Sequence, residues 1–305
     1  MAVTSVSPAV SANLNAALDR AVARAGVVTA PAAKPLPASV GPSAFLARRE
    51  NMVHRAGERW RPPLFSPATG TVARVSAALR RFLDLQAGSI WRDLQAELAR
   101  PHGVVVDVGC GAQPFRRLVH PADRYVGIDI AEAKEYFGYE VPDTLYYSGQ
   151  SWPIEPATCD LVLCTETLEH VREPGPFLDE AARVIRPGGT LLITVPFAAR
   201  WHFIPHDYWR YTPSSLRDLL EKHGFENVAV FARGNHYTVA CYKLMALILP
   251  LLMPAGSGRV MGILKRLAGL VLSPILVMLA VIANLSLLGR GGDDCLGYTA
   301  VATRT

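Results

Sequence analysis

The chain has 305 residues, of which 50% are hydrophobic and 19% are charged, and its mean hydropathy is +0.19. Whole-chain disorder requires few apolar groups and much charge, so it is excluded, and the length fits one large domain or two ordinary ones. The net charge of +5 is uneven: residues 1–100 (13 basic, 6 acidic) carry +7, residues 101–242 (12 and 18) carry −6, and residues 243–290 (5 and 0) carry +5. The acidic middle argues against a nucleic-acid partner, whereas the basic ends suit a solvated tail or an anionic membrane surface.

The first hundred residues change character near residue 68. Residues 1–67 are rich in Ala, Val, Ser and Pro, which predicts a disordered tail with a short helix over Asn13–Arg24 and no secretory signal. From Thr71 to Leu98 apolar residues recur at helical spacing. This periodicity predicts one or two amphipathic helices over 68–100 that dock their apolar stripe on the domain C-terminal to them.

From Val104 onward, short apolar runs alternate with helix-like stretches. The segment Pro176–Ile185 is helical in pattern, and Arg186–Gly189 after it indicates a helix stop and turn. Near-continuous apolar strands that alternate with helices predict a doubly wound, mostly parallel α/β sheet. The predicted strands are Val104–Val108, Tyr125–Ile130, Leu145–Tyr147, Leu161–Cys164 and Thr190–Val195.

The strongest local signal is the glycine loop that comes after the first predicted strand. Gly109 and Gly111 permit a tight turn and close approach of a ligand to the backbone, and Asp129 ends the next strand, where a carboxylate can accept both hydroxyls of a ribose. A dinucleotide and S-adenosylmethionine both fit this layout. The dinucleotide pattern places a third glycine where this chain has Pro114, which weakens the interpretation as a nicotinamide oxidoreductase. Asp107, two residues before Gly109, suits an ammonium group better than a pyrophosphate.

At these residues the sequence resembles the class I S-adenosylmethionine-dependent methyltransferases, in particular the small-molecule type 11 group. The resemblance covers about 101–242 and rests on five elements in order. They are Asp107–Gly111, Val126–Asp129, Trp152–Ile154 with Cys159–Cys164, Thr167–Val171 and Arg183–Ile193. The resemblance implies a Rossmann-like seven-stranded sheet whose last strand inserts antiparallel beside the fifth. Phe225–Ala232 is then the sixth strand and Leu296–Arg304 the seventh.

The resemblance also assigns S-adenosylmethionine contacts to residues. Asp107 and the backbone of the glycine loop would hold the methionine end, Asp129 the ribose, and Ile130 the adenine. The full set implied is Asp107, Gly109, Cys110, Gly111, Asp129, Ile130, Ser148, Gly149, Gln150, Cys164 and Thr165. The segment Ser148–Gln150 stands where the family often has an acidic residue for the adenine amino group, and Cys164 fits equally well as a small buried apolar residue.

Candidate catalytic residues come after the fourth and fifth strands. Methyl transfer is an in-line displacement, so a base is needed only for a poorly ionised acceptor. Glu166, Glu169 and His170 come after the fourth strand, and the loop 201–213 holds His206 and Asp207 among five aromatic residues. We expect His206, Asp207 and His170 to serve as base or acceptor clamp. The alternative is that His170 caps a helix and the aromatic residues are packing anchors.

The apolar surplus lies near the C-terminal end. Leu244–Pro254 is almost wholly apolar, and Leu267–Leu288 is 22 residues without a charge, flanked by Lys265, Arg266 and Arg290. Because such an insertion must leave and rejoin one sheet, a helical hairpin is favoured over a single membrane span. A membrane anchor over residues 244–288 is our prediction, and a buried core hairpin or an oligomer interface is the alternative.

The predicted organisation has four parts. They are a disordered tail (1–67), docking helices (68–100), a methyltransferase domain (101–242 with 296–305) and an apolar hairpin (243–290). The predicted function is methylation, with oxygen as the favoured atom, of a small or lipid-linked acceptor on the cytoplasmic face of the cell membrane. The alternative is a non-catalytic partner protein of the same fold. The five cysteines are odd in number and lack metal-type spacing, so neither a disulfide scaffold nor a metal site is predicted, and a reducing compartment is favoured.

Overall fold

A computed structural model describes residues 46–50, 52, 70–254 and 258–305. The chain divides into two units, Met1–Arg55 and Ala56–Thr305. In the first, the described residues form a 3-10 turn at Leu46–Arg48. The predicted helix over Asn13–Arg24 and nearly all of the predicted tail lie outside the described residues. The strands and α-helices that the structure describes all lie in the second unit.

A seven-stranded sheet organises the second unit, in the order β3-β2-β1-β4-β5-β7-β6. Strands β1 to β5 pair in parallel, and β7 lies antiparallel between β5 and β6. The predicted sheet, with its last strand antiparallel beside the fifth, is therefore confirmed. The strands are Val104–Val108 (β1), Arg124–Ile130 (β2), Thr144–Tyr147 (β3), Cys159–Thr165 (β4), Ile185–Pro196 (β5), Phe225–Arg233 (β6) and Gly297–Arg304 (β7).

Helices cover both faces of this sheet. They are Thr71–Leu83 (α1), Leu85–Leu98 (α2), Ala133–Phe137 (α3), Pro174–Val184 (α4), Pro213–Lys222 (α5), His236–Leu252 (α6) and Arg259–Ser286 (α7). Val105 belongs to the cluster under α2, with Leu94, whereas its neighbour Val106 belongs to the cluster under α4 and α5, with Leu178 and Leu216. Successive side chains of a strand point to opposite faces, so a strand buried on both sides needs an unbroken apolar run. This is why β1 begins with three consecutive valines.

Two elements differ from the sequence prediction. The predicted turn at Arg186–Gly189 is part of β5, which begins at Ile185 directly after α4. Cys159 pairs with Ile185 and Leu161 with Thr190, so the intervening residues form an irregularity in the ladder, with Gly188 at φ 77°. The predicted packing of the apolar stripe is wrong for α1: Val75 and Leu79 are 61% and 56% exposed, whereas α2 buries its stripe.

Helices α6 and α7 form the hairpin between β6 and β7. Asn235 caps α6 by accepting hydrogen bonds from the N–H groups of Tyr237 and Thr238. The two helices share an apolar cluster that includes Met245 and Ala280. Gly269 of α7 lies against the backbone of Leu251 in α6, so the helices touch closely there. Helix α6 begins at His236, earlier than the predicted boundary at 243.

Candidate active site

The glycine loop after β1 is built by backbone geometry. Gly109 and Gly111 have φ of 66° and 49°, a region that side-chain-bearing residues enter at a cost. The N–H groups of Gly109 and Cys110 donate to the carbonyl of Ile128 at 2.9 and 3.2 Å, which ties the loop to β2. A Cβ at Gly109 would collide with Thr167 after β4. The loop is therefore held tightly at the carboxyl edge of the sheet.

Two buried carboxylates flank this loop. Asp129 accepts the N–H groups of Gly111 (2.9 Å) and Ile130 (2.8 Å), one on each oxygen, and Asp107 accepts the hydroxyl of Tyr125 at 2.7 Å. Burial raises the pKa of Asp107 to about 7 and that of Asp129 to about 6. Two carboxylates buried together without a cation are costly to ionise, so the pair favours a positively charged ligand.

A second group of polar side chains comes after β4. His170 is mostly buried, and its Nδ1 donates to the carbonyl of His206 at 2.7 Å, because a carbonyl can only accept. Burial lowers the pKa of His170 to about 4, so the ring is neutral. Its Nε2 lies 3.6 Å from Oε1 of Glu169. The Glu169 side chain is fully buried, and neither carboxyl oxygen has a hydrogen-bond partner among the described residues.

The loop after β5 brings a third group beside the second. Arg210 donates to both oxygens of Asp207, at 2.6 and 2.7 Å. Nδ1 of His202 lies 3.0 Å from Oδ2 of Asp207 and 3.0 Å from the carbonyl of Arg200. Burial opposes ionisation of Asp207, but the hydrogen bonds from Arg210 and His202 outweigh it and lower the pKa of this carboxyl. Asp207 is thus a carboxylate held ionised by its partners.

An aromatic wall closes this side of the site. The ring of His206 lies 5.2 Å from that of Tyr136 in α3 and 5.5 Å from that of Phe203, while the His170 ring meets Phe203 at 5.3 Å. Nδ1 of His206 is 3.4 Å from the Tyr208 hydroxyl. Aromatic rings beside histidine and carboxylate groups suit an acceptor with an apolar body and one reactive polar atom.

The chain is similar to known methyltransferases in sequence and in fold. A family model described as a methyltransferase domain matches residues 79–230. A ubiquinone biosynthesis O-methyltransferase of Thiobacillus denitrificans is 34% identical over 186 residues, which cover 51% of this chain and 78% of that protein. The chain belongs to the class I S-adenosylmethionine-dependent methyltransferases.

Other similar proteins overlap the chain less completely. A probable S-adenosylmethionine-dependent methyltransferase of Mycolicibacterium smegmatis is 30% identical over 134 residues, covering 40% of this chain and about half (51%) of that protein. A transposon protein of Streptomyces fradiae is 31% identical over 38% of this chain and 35% of its own length. A solved Thermotoga maritima methyltransferase covers 76% of this chain and 96% of its own at 19% identity and a TM-score of 0.44, too distant to bear on substrate.

The cofactor of this methyltransferase family, S-adenosylmethionine, carries an ammonium group and a ribose, and the buried carboxylates of Asp107 and Asp129 fit their predicted places at the ammonium and the ribose hydroxyls respectively. Thr165 adds a buried hydroxyl without a hydrogen-bond partner among the described residues. Ile130 is 38% exposed beside the loop, as a residue placed against an adenine would be. The cofactor-binding assignments of individual residues remain predictions that these surroundings favour.

Other predicted contacts of the methyltransferase are constrained by packing. Cys164 is fully buried in the main core, which agrees with its alternative interpretation as a small packing residue. The Cys110 thiol is also buried, 3.8 Å from the Thr144 hydroxyl, and a cofactor contact through the Cys110 backbone stays a prediction. Ser148, Gly149 and Gln150 are exposed after β3.

The structure shows where the predicted catalytic residues lie. Asp207 accepts hydrogen bonds from Arg210 and lies 3.0 Å from Nδ1 of His202, and its part as base or acceptor clamp stays a prediction. His206 lies in the aromatic wall, and His170 is linked to it through a backbone carbonyl instead of capping a helix with its side chain. The sequence analysis did not predict that Tyr125 donates to Asp107 or that His202 lies beside Asp207. It named Glu169 only as a secondary candidate.

Proposed function

We propose that this methyltransferase transfers a methyl group to a hydroxyl of a small or lipid-linked acceptor at the cytoplasmic face of a membrane. S-adenosylmethionine, when bound, supplies a methyl group on a sulfonium. Asp107, Asp129 and the glycine loop would hold that cofactor, and the aromatic wall would hold the acceptor. The T. denitrificans relative is named an O-methyltransferase of ubiquinone biosynthesis, which supports oxygen as the atom and an apolar molecule as the acceptor.

The observation that carries the membrane part is an exposed apolar surface on α1, α6 and α7. Helix α7 is long and apolar enough to cross a membrane by length and composition. At 28 residues it is about 42 Å long, against a hydrocarbon core of about 30 Å. Val271 is 77% exposed on it, and Leu247 of α6 is 71% exposed. Such a surface is costly in water and favourable in a lipid interface.

Helix α1 extends this surface and adds charge. Its exposed Val75 and Leu79 share the helix with Arg74 and Arg80, which are also exposed. Asn284 of α7 donates to the carbonyl of Phe82 at 2.9 Å, so α1 is tied to α7. A basic, apolar helix of this kind binds the surface of an anionic bilayer.

The hairpin starts at the edge of the sheet where the site lies. Strand β6 runs parallel to β5, so Arg233 ends it at the carboxyl edge, and α6 begins three residues later. Nη2 of Arg233 donates to Glu166 at 2.8 Å, and Nζ of Lys243 donates to the carbonyl of Ala198 after β5. A membrane bound by the hairpin would therefore lie near the loop after β5 (197–212), which we call the acceptor loop. This arrangement favours an acceptor drawn from the lipid phase.

Vesicle flotation tests the membrane part. The full chain is expected to float with vesicles of phosphatidylglycerol and phosphatidylcholine without detergent. Val271→Asp with Leu247→Asp should abolish flotation, because each carboxylate would enter the apolar phase. Phe231→Asp is the matched control, since this apolar residue is 57% exposed on β6, outside the hairpin. A wild-type protein that stays soluble and does not float contradicts the proposal.

The catalytic part has its own test. Calorimetry should detect S-adenosylmethionine binding by the wild-type chain, and mass spectrometry of a membrane extract incubated with isotope-labelled cofactor should reveal a methylated product. Absence of cofactor binding would favour the alternative, a non-catalytic partner protein. A product methylated at carbon or nitrogen would overturn the assignment to oxygen.

A further inference from the structure

A buried carboxylate and two histidines converge after β4 and β5. One ligand-capable atom each of Glu169, His170 and His202 lies within 4.8 Å of the others. Two of these residues are adjacent in sequence, and the third is on the acceptor loop 32 positions later. From these contacts we propose that Glu169, His170 and His202 bind one divalent transition-metal ion, with Zn²⁺ as the reference ion.

The state of Glu169 is the first argument. Its side chain is fully buried, and its two oxygens lack hydrogen-bond partners among the described residues. Buried carboxylates are normally paired, hydrogen-bonded or bound to a metal, since an unpaired buried charge is strongly unfavourable. The positive charge of Arg210 acts on Glu169, but its guanidinium donates to both oxygens of Asp207 and not to Glu169. A cation between the two histidines would supply the missing partner.

The orientation of the histidines is the second argument. His170 donates Nδ1–H to a backbone carbonyl, and Nδ1 of His202 faces the Asp207 carboxylate and the Arg200 carbonyl, so it too carries the proton. In the neutral form of each ring, Nε2 is then the unprotonated nitrogen. Histidines that bind metals typically donate their other ring N–H to a carboxylate or a carbonyl, which fixes the tautomer. Asp207 and the His206 carbonyl act as such second partners here.

The distances and donor types are the third argument. Metal–nitrogen and metal–oxygen bonds of about 2.0–2.2 Å place ligand atoms about 3.3 Å apart around a tetrahedral ion. Nε2 of His170 and Oε1 of Glu169 are already 3.6 Å apart. Two histidines and one glutamate form a three-ligand set that leaves a coordination position open, as in catalytic zinc sites.

The open position gives the ion a part in the reaction, and this part rests on the proposed O-methylation. An acceptor hydroxyl bound to the ion becomes more acidic and loses its proton to solvent. Its oxygen then forms a bond to the methyl carbon while the carbon–sulfur bond breaks, and that electron pair remains on the sulfur. The products are a methyl ether and a neutral thioether, and the metal is unchanged. A strong protein base would then be unnecessary.

Zn²⁺ binding by the full chain is the direct test. Protein stripped with chelator is titrated with Zn²⁺ against a competing dye, and one equivalent is expected to bind. Glu169→Gln and His202→Asn should each weaken binding about 100-fold or more, and Asp207→Asn, which removes a second partner, about 10–100-fold. His223→Asn is the control. Like His202, His223 has its Nδ1 beside a carboxylate, that of Asp179 at 2.6 Å, but it does not belong to the Glu169, His170 and His202 cluster. Equal affinity in the wild type and the cluster variants would overturn the site.

Co²⁺ spectroscopy distinguishes this site from binding by thiols. Nitrogen and oxygen ligands should give visible ligand-field absorption without the thiolate charge-transfer band expected from any of the five cysteines. A thiolate band that survives in Glu169→Gln would overturn the assignment. Melting temperature and S-adenosylmethionine affinity, measured on each variant, report whether it has folded.

Turnover separates the metal site from the proposed function. Chelated protein should lose O-methylation and regain it with Zn²⁺, whereas full turnover without metal would overturn the catalytic part. Metal binding without an O-methylated product would support the site and contradict the proposed function.

Discussion

The proposed cofactor side and the proposed acceptor side of this site, called the cofactor side and the acceptor side below, are built by different means. The cofactor side consists of the loop after β1 and the end of β2, where positive φ angles and backbone hydrogen bonds fix the shape. The acceptor side joins residues after β4, the loop after β5 and helix α3 through side-chain contacts. A site shaped by the backbone depends on its glycines, because a substitution there displaces the chain. In a site built from side chains, the loss of one side chain removes its contacts but leaves the backbone in place. The two sides should therefore fail separately.

The largest expected effect comes from Gly109→Ala. The added Cβ would collide with Thr167, and the residue would have to adopt a φ of 66°. We expect S-adenosylmethionine affinity to fall about 100-fold or more in calorimetry, because the loop must move. Gly111→Ala is the matched control: its φ is 49°, but its Cβ would meet no atom within 4 Å. In that control, only the strain of the left-handed backbone should lower the stability of the folded loop, by about 1–2 kcal/mol. Equal losses in the two variants would show that the contact with Thr167 is irrelevant.

The next largest effect tests the acceptor side alone. The double variant His206→Ala/Asp207→Ala removes one member of the aromatic wall and the carboxylate that holds His202. Turnover should fall about 100-fold, because the acceptor and His202 each lose a side chain that positions them, while cofactor affinity stays unchanged. The measurement is kcat with the identified acceptor, beside calorimetry with S-adenosylmethionine. Full turnover would rule out a catalytic part for either residue, and a matching loss of cofactor binding would contradict the independence of the two sides.

The smallest effect is a pH dependence confined to the cofactor side. The pKa of Asp107 rises from 3.8 to about 7 and that of Asp129 from 3.8 to about 6, so the folded apoprotein holds protons that the unfolded chain releases. Stability from these groups is present below pH 4 and is lost as pH rises toward 7. Cofactor affinity should rise over the same interval, since ionised Asp107 attracts the ammonium of the cofactor and ionised Asp129 is the stronger acceptor for the ribose hydroxyls.

Melting temperature and calorimetry from pH 5 to pH 8 test this dependence. The variant Asp107→Asn/Asp129→Asn should show a flatter melting profile than the wild type, together with weak cofactor binding at every pH. An unchanged profile in this variant would assign the dependence to other groups.

Much of the cofactor side could be predicted from the sequence because its determinants are local. Apolar runs identified β1, β2, β4 and β5, and the glycines marked the turn where the chain approaches a ligand. The hydrogen bond between Tyr125 and Asp107 was not predicted. The two residues lie on adjacent strands, and the sequence alone does not show which side chains of neighbouring strands come within hydrogen-bond distance. The opposite exposures of α1 and α2 were also missed. Helical periodicity gives the apolar face of a helix, but it does not say whether anything covers that face.

The sequence by itself determined the fold class, the position of the glycine loop and the presence of an apolar hairpin before the last strand, because each depends on short-range periodicity or on residue-specific backbone preferences. Only the tertiary structure decided that Glu169 is buried without a partner among the described residues, that His202 joins His170 beside it, and that Asp207 is occupied by Arg210. The physical reason is that the parallel sheet brings the carboxyl ends of β4 and β5 together. Residues far apart along the chain thereby share one small, poorly solvated space.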